Sequence, residues 1–221
     1  SFDAFTNGCL TTPDDAYAWA RGKAIPGGGG GGALQILRPL DFYAVSDHAE
    51  YMGVFRQMAN PESPLSKLEI AKGITSKDPG EALQAFAGVL RDMSAGKSMP
   101  ELTDPKVSRP IWKEIVDAAD RHYEPGKFTT FPAFEWTSNP DKRNLHRVVV
   151  FAGSEHLPEL PFSALDSDDP EALWRWMQGA RDEGARLLAI PHNANASDGL
   201  MFSLETRSGA PLSKEYIATR S

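Results

Sequence analysis

The chain alternates between short apolar runs and longer amphipathic stretches. Runs of strand-like composition cover residues 42–45, 130–136, 148–151 and 187–190. Apolar residues recur at helical spacing over residues 16–21, 81–90, 110–120 and 172–183. Because helices separate most of these strands, the pattern predicts an α/β protein with a mainly parallel sheet.

Local start and stop signals support two of the helices. Residues 11–15 supply a hydroxyl cap, a first-turn proline and acids near the positive end of the helix dipole, and Gly22 ends that helix. Asp168-Asp169-Pro170-Glu171 supplies a carboxylate cap, a first-turn proline and an acid for the helix that Gly184 ends. Both helices are therefore bounded at each end by the sequence itself.

The segment 51–106 has a different character. Prolines divide it into short helical pieces, and it contains no strand-like run. We interpret it as a helical insertion between two strands, a cap that lies over the functional site and shapes substrate choice. A helical hairpin on the outer surface, without substrate contact, is the alternative.

Six consecutive glycines occupy residues 27–32. One interpretation is a phosphate-binding loop, but the run lacks the Lys-Ser/Thr ending of such loops and does not lead into a capped helix. The run is more typical of a flexible hairpin tip or a linker.

The composition is that of an ordinary globular protein. Of 221 residues, 41% are hydrophobic and 24% are charged, which suffices for one sizeable core or two small ones. The net charge of -7 argues against a nucleic-acid partner, because phosphate binding needs a surplus of Lys and Arg. No apolar run approaches the roughly 20 residues of a membrane span. The single cysteine, Cys9, excludes an internal disulfide.

The two ends of the chain indicate a piece of a longer protein. It begins at Ser1 without a methionine, and it ends at Ser221 in what resembles the middle of an element. The sequence leaves the cellular location, cytoplasmic or periplasmic, and the oligomeric state open.

Polar residues of metal-binding type stand at one end of each predicted strand. Asp47 and His48 follow the first strand, Glu135 lies late in the second, His146 precedes the third, and His192 follows the fourth. Strand ends are where α/β proteins place their functional groups. Carboxylates and imidazoles suit Zn, Mn or Fe. The layout predicts a multinuclear metal site on the rim of a barrel.

Each of these residues alone has a structural alternative. Asp47-His48 taken alone is more typical of a helix cap or a solvated turn. Glu135 lies in an aromatic strand, where a buried carboxylate needs a positive partner, and Arg147 could serve instead of a metal. The histidines outside the strand ends, His122 and His156, are interpreted as structural.

The motifs follow the order found in a known superfamily of metallohydrolases. Asp47-His48 resembles the second motif of the polymerase-and-histidinol-phosphatase (PHP) superfamily. Glu135 with His146 resembles the third motif, and His192 resembles the fourth. The metal-site prediction and the superfamily resemblance thus rest on the same residues.

A narrower resemblance is to the bacterial DUF3604 branch of that superfamily. It rests on the opening Ser1-Phe-Asp-Ala-Phe and on Asn144-Leu-His-Arg, Pro191-His-Asn-Ala-Asn and Asp198-Gly-Leu-Met-Phe. These segments are spread along essentially the whole chain.

The resemblance implies a distorted PHP-type (β/α)7 barrel, incomplete in this chain, with residues 1–221 forming one partial barrel domain. It also implies two or three divalent metal ions, Zn, Mn or Fe, at the C-terminal ends of the strands. The first His-x-His motif of the superfamily would precede Ser1, and the closing Asp-x-His motif would follow Ser221. The ligand set within this chain is therefore expected to be partial.

The implied activity is hydrolysis of phosphoric or related ester bonds, such as phosphonates and sulfates, in small molecules by a metal-activated water. Asp47, Glu135, His146 and His192 are the implied metal ligands, and Glu135 would bridge two cations. His48 would be a ligand or would orient one.

Three further residues are candidates for contact with the substrate. Arg147 would clamp a substrate oxyanion, or it would pair with Glu135 or Asp141. Asn193 would donate a hydrogen bond to substrate or water, as would Asn195, or both would cap turns.

Two other functions stay open. The chain could be a degenerate metal-binding or assembly module without turnover. A nuclease or proofreading domain is disfavoured by the acidic charge and by the lack of a basic aromatic groove. We therefore expect a small-molecule ester as partner, and neither a nucleic acid nor a membrane.

Overall fold

The computed structural model describes residues 1–27, 31–97, 99–214 and 217–218, and it is a mixed α/β fold with open sheets. Within these residues the helices are α1 (Phe2–Thr6), α2 (Pro13–Ala20), α3 (Val54–Met58), α4 (Glu69–Ile74), α5 (Pro79–Ser94), α6 (Pro105–His122) and α7 (Pro170–Asp182). The strands are β1 (Ile25–Pro26), β2 (Ala33–Leu34), β3 (Phe42–His48), β4 (Thr129–Trp136), β5 (Arg147–Phe151) and β6 (Leu187–Pro191). No helix among the described residues is long and apolar enough to cross a membrane.

The main sheet has the strand order β3-β4-β5-β6. β3 and β4 are parallel, whereas β5 is antiparallel to both of its neighbours. The prediction of a mainly parallel sheet is therefore wrong for β5. The chain returns from β4 to β5 through residues 137–146 without an α-helix, and a parallel connection would need a long crossover. As a result, the ends of β3, β4 and β6 and the beginning of β5 share one edge.

The two faces of this sheet differ in what covers them. Successive strand residues point to opposite faces, and residues paired across strands share a face. One face, here called the packed face, carries Phe134, Trp136, Val149 and Phe151, which lie in a core with residues of α6 and α7. The other face is here called the site face, and it carries the alternate residues of the four strands. These are Ser46, His48, Ala133, Glu135, Val148, Val150, Leu188 and Ile190.

The packed face is sealed by aromatic side chains. Trp112 of α6 meets Phe134 edge to face, with ring centroids 6.1 Å apart, and Trp176 of α7 meets the same ring at 5.7 Å. Such pairs add stability beyond the apolar area that they bury. This layer fixes α6 and α7 against the sheet and so fixes the strand ends.

The predicted helix starts are confirmed for α2 and α7. Thr12 and Asp15 form a reciprocal capping box on α2, and Asp169 accepts a hydrogen bond from Glu171 N on α7, at 3.0 Å. The predicted start of α6 at Pro110 is wrong, because Asp104 caps this helix, which begins at Pro105, and Pro110 lies inside it.

The segment 51–106 contains α3, α4, α5 and two short 3₁₀ turns, Pro64–Lys67 and Pro100–Leu102. Its apolar residues form a second core, separate from that of the sheet, and Phe2 of α1 belongs to it. Because the Phe2 ring stacks on His48 at the end of β3, this core is joined to the main sheet at the edge that carries the polar residues.

The glycine run follows β1 and leads into β2, which pair antiparallel. Gly27 N donates to Gly32 O, at 3.1 Å. This pairing agrees with the interpretation of the run as a hairpin tip, although residues 28–30 of that tip lie outside the described part of the chain.

Candidate functional site

Three histidines surround one buried carboxylate at the shared edge of the sheet. Glu135 Oε1 lies 2.8 Å from His146 Nδ1 and 3.8 Å from His192 Nε2. Glu135 Oε2 lies 3.9 Å from His48 Nδ1. The three histidines come from three different strand ends and meet within the reach of one side chain.

Strand alternation explains why these four side chains meet. His48 and Glu135 are register partners, so they share the site face. His146 and His192 lie two residues from Val148 and Ile190, which belong to that face as well. The pairing continues past the strand ends, because His192 N donates to His146 O at 2.9 Å.

Asp3, which the pattern of strand ends does not single out, joins this cluster. Its Oδ2 lies 3.3 Å from His48 Nε2. The hydrogen bond from His48 holds the pKa of the Asp3 carboxyl well below its usual range, although burial opposes this shift. Asp3 lies in the opening segment Ser1-Phe-Asp-Ala-Phe, which carries part of the DUF3604 resemblance. That resemblance is the sequence signal that could have identified Asp3 as a site residue.

Among the three histidines of the cluster, His48 has contacts at both ring nitrogens and on one face of its ring. Burial alone would lower its pKa, but the hydrogen bond with Asp3 and the charge of Glu135 raise it. The ring stacks on Phe2 at a centroid distance of 4.7 Å, and its Nδ1 contacts the hydroxyl of Thr137. Both ring nitrogens therefore have partners within the described residues.

Asp47 lies apart from this cluster. It is the register partner of Phe134, so its side chain is on the packed face, opposite to His48. Its Oδ1 lies 2.7 Å from the nitrogen of Ser1, and the carboxylate lines a cavity of about 410 Å³ together with Arg56. The structure thus does not bring Asp47 to Glu135, in contrast to the predicted ligand set.

Arg147 is also directed to the packed face, as the register partner of Trp136. It is buried, its guanidinium lies 4.9 Å from the ring centroid of Trp174, and it donates to Leu145 O at 2.6 Å. Asp141, one of the partners considered for it, pairs with Arg143 at 2.8 Å. These contacts direct Arg147 away from Glu135.

Asn193 lies beside the cluster. Its Nδ2 is 3.3 Å from His192 Nε2, and its backbone has a left-handed φ of 53°. Such a φ is uncommon for residues other than glycine, although asparagine tolerates it better than most. Asn195 belongs to the 3₁₀ turn Ala194–Ala196 that follows. The turn brings the amide of Asn193 to the imidazole of His192.

The donor set suits a divalent metal, but its atoms contact one another directly. Among the described residues, no three His, Cys, Asp or Glu side chains are spaced to hold a metal ion as they stand. The hydrogen bond between Glu135 and His146 uses two atoms that a shared cation would also need. Imidazole nitrogens around a carboxylate nevertheless match Zn, Mn or Fe in chemical type.

Comparison with known families gives one finding. Residues 1–221 match the sequence profile of a family described as protein of unknown function (DUF3604). Neither the curated proteins nor the solved structures give a match.

Proposed function

The chain belongs to the DUF3604 family over residues 1–221, and from that premise we propose that it is a metal-dependent hydrolase of phosphoric or related ester bonds in small molecules. The observation that carries the proposal is the convergence of His48, His146 and His192 on the buried carboxylate of Glu135. A buried carboxylate is costly without a cation or ionised partners.

We assign the metal ligands to the site face. Glu135, His48, His146 and His192 would hold the two or three divalent cations. A divalent cation there would supply Lewis-acid activation of water and of the ester oxygens. Asp3 and Thr137 would hold the His48 ring, and Asn193 would donate a hydrogen bond to the substrate. Asp47 and Arg147 are left out because they belong to the packed face.

A relationship to the PHP superfamily, with a (β/α)7 barrel, is part of the same proposal. It is supported by the site face, which exposes large apolar side chains: Leu188 is 51% and Ile190 is 50% exposed. In the described part of the chain, β3 and β6 also form the two unpaired edges of this sheet. Apolar faces and open edges are features that barrel closure would cover.

The helical segment 51–106 is proposed to act as a cap on this site. Phe86 of α5 lies 5.7 Å from Phe2, whose ring stacks on His48. A change in the helical segment would therefore be transmitted to the site through one aromatic side chain.

The second candidate is a metal-binding or assembly module without turnover. It is favoured by the direct contact of Glu135 with His146, at 2.8 Å, which is a complete hydrogen bond without any metal. The two candidates differ in turnover, so a single set of assays separates them.

The test uses metal content and ester hydrolysis. We expect the protein to bind Zn or Mn, measured by elemental analysis after dialysis, and to release nitrophenol from nitrophenyl phosphate, phosphonate or sulfate. Glu135→Gln should lower kcat/KM by at least about 100-fold, because an amide keeps the shape but lacks the charge that holds a cation. Folding, followed by circular dichroism, should change little.

The matched control is Glu159→Gln, which removes an exposed acid paired with Arg109 at 3.1 Å. It should keep wild-type turnover. Metal binding without hydrolysis of any of these esters would support the module instead. Full activity of Glu135→Gln at saturating metal would rule out the role assigned to Glu135.

A further inference from the structure

Glu50 is a fully buried acid that the proposed hydrolysis does not use. Its Oε1 accepts two backbone hydrogen bonds, from Thr137 N at 3.1 Å and from Ala164 N at 2.6 Å. Its Oε2 is buried and has no hydrogen-bond partner among the described residues. Burying a carboxylate with one unpaired oxygen costs free energy, so the presence of Glu50 at this position needs a structural or functional reason.

Thr137 connects Glu50 to the cluster. It follows β4 directly, it is buried, and its hydroxyl contacts His48 Nδ1. The carboxylate of Glu50 therefore holds the backbone of the residue whose side chain touches the imidazole. His48 and Glu50 also lie two residues apart, so the same turn carries both ends of this connection.

The backbone after Glu50 is held in an unusual conformation. Tyr51 has a φ of 50° although it is not glycine, and Gly53 has a φ of 73°. Such conformations persist only where the surroundings impose them, and they are common at functional sites. The surroundings here are tight, since Tyr51 is buried and a Cβ on Gly53 would lie 2.4 Å from Ile111.

We propose that Glu50 and Thr137 are positioning residues for His48. Glu50 fixes the turn after β4, and the Thr137 hydroxyl then fixes the orientation of the His48 ring between Asp3 and Glu135. The claim that these residues orient the His48 ring does not depend on the proposed function. The claim that this orientation affects catalysis rests on the proposed function.

The first experiment observes the ring directly. In protein labelled with ¹⁵N-histidine, there are five histidines to assign, and His48→Asn identifies the signals of His48. Thr137→Val removes the hydroxyl but keeps the shape, and we expect it to shift the Nδ1 signal of His48. Thr137→Ser should keep the wild-type signal. Glu50→Ala should give the same change as Thr137→Val, whereas Glu50→Gln should not, because an amide oxygen still accepts both backbone hydrogen bonds.

A matched control is Thr130→Val. Thr130 is also buried, and its hydroxyl donates to Ala119 O of α6. This variant should lose stability without moving the His48 signals. Unchanged His48 signals in Thr137→Val would overturn the proposal. If Glu50→Ala does not fold, the Thr137 variants test the contact with His48, and shifted His48 signals in Glu50→Gln would overturn the role of the Glu50 oxygen.

The second experiment measures the consequence for the site. Thr137→Val and Glu50→Ala should each weaken metal binding or lower kcat by about 10- to 100-fold, the usual effect of removing a partner of a ligand. The double variant should be no worse than the more impaired single variant, because both act along one connection. Additive losses, or losses that Thr137→Ser does not restore, would overturn the connection.

The two proposals fail in different ways. If the wild-type protein binds no divalent cation, the proposed function fails, while the ¹⁵N signals still test the positioning of His48. If the wild type binds metal and turns over but Thr137→Val matches it in both the ¹⁵N signals and kcat, only the positioning role fails.

Discussion

At the scale of residues, the candidate site is built from side chains that alternate along strands. Glu135 is central because one buried carboxylate lies within 4 Å of three imidazole rings. A cluster of this kind concentrates buried ionisable groups at one place, which is typical of functional sites. Within the strands, the adjacent residues Asp47, Phe134 and Arg147 are directed to the packed face instead.

This alternation gives a prediction about Asp47 and His48. His48→Asn should lower kcat/KM by at least about 100-fold, because the imidazole belongs to the cluster. Asp47→Asn should stay within about fivefold of the wild type, because its carboxylate lies on the opposite face of β3. Both variants are compared in the nitrophenyl ester assay, with folding monitored by circular dichroism.

Equal losses in the two variants would show that Asp47 acts at the site despite its position. A stability effect of Asp47→Asn is expected in either case, because its carboxylate contacts the nitrogen of Ser1. The comparison therefore uses kcat/KM of the folded protein and not the yield.

At the scale of elements, the start of α3 is fixed by close contact with α6. Gly53 caps α3 with a φ of 73°, and a Cβ at this position would lie 2.4 Å from Ile111. Only glycine satisfies both conditions, since other residues are strained in the left-handed conformation and would displace the isoleucine. This contact joins the helical segment to the helix that packs on the sheet.

Gly53→Ala should reduce the free energy of unfolding by about 2 to 4 kcal/mol, measured by urea denaturation. About 1 kcal/mol comes from the left-handed conformation and the remainder from overpacking. Gly126→Ala is the matched control, because Gly126 has a φ of 75° but a Cβ added there would meet no described atom within 4 Å. It should cost only about 1 kcal/mol.

A second variant isolates the packing contribution. Ile111→Ala removes the atoms that the added Cβ would meet, so Gly53→Ala should cost less in that background than in the wild type. An equal cost in both backgrounds would show that the backbone conformation alone accounts for the loss.

At the scale of the whole molecule, the site face carries large apolar side chains that are exposed. Leu188 is 51% exposed and Phe42 is 65% exposed. Large exposed apolar patches usually mark surfaces that another part of a protein covers. The proposed barrel would place these side chains in its interior.

The barrel proposal predicts how this face responds to charge. If the barrel is closed, Leu188→Asp should lower the free energy of unfolding by about 3 kcal/mol or more, because the substitution would bury an unpaired charge in the barrel interior. Leu83→Asp on α5 is the control, since Leu83 is 63% exposed, and it should cost less than about 1 kcal/mol. Similar small losses in both variants, measured by urea denaturation, would contradict a closed barrel.

Much of this architecture was predictable from local patterns. Strand and helix positions follow from the spacing of apolar residues, and the caps at Thr12 and Asp169 follow from residue types that satisfy free backbone groups. The convergence of His48, Glu135, His146 and His192 follows from their common position at strand ends. These signals are local because backbone hydrogen bonding and side-chain alternation repeat over a few residues.

The rest depended on contacts between distant parts of the chain. The apolar pattern ends the first strand at residue 45, and only the extension of β3 to His48 separates Asp47 from His48 by alternation. The direction of β5 was decided by the short return from β4, which the pattern of strands alone does not reveal.

The sequence by itself therefore determined the strands of the main sheet, the caps of α2 and α7 and the residues at strand ends, because each of these depends on near neighbours. Only the tertiary structure decided which face each residue occupies and which partners it meets. Thr137 lies 89 residues from His48, and Ala164 lies 114 residues from Glu50. Contacts over such separations depend on how α6, α7 and the sheet pack together, and no local pattern encodes that packing.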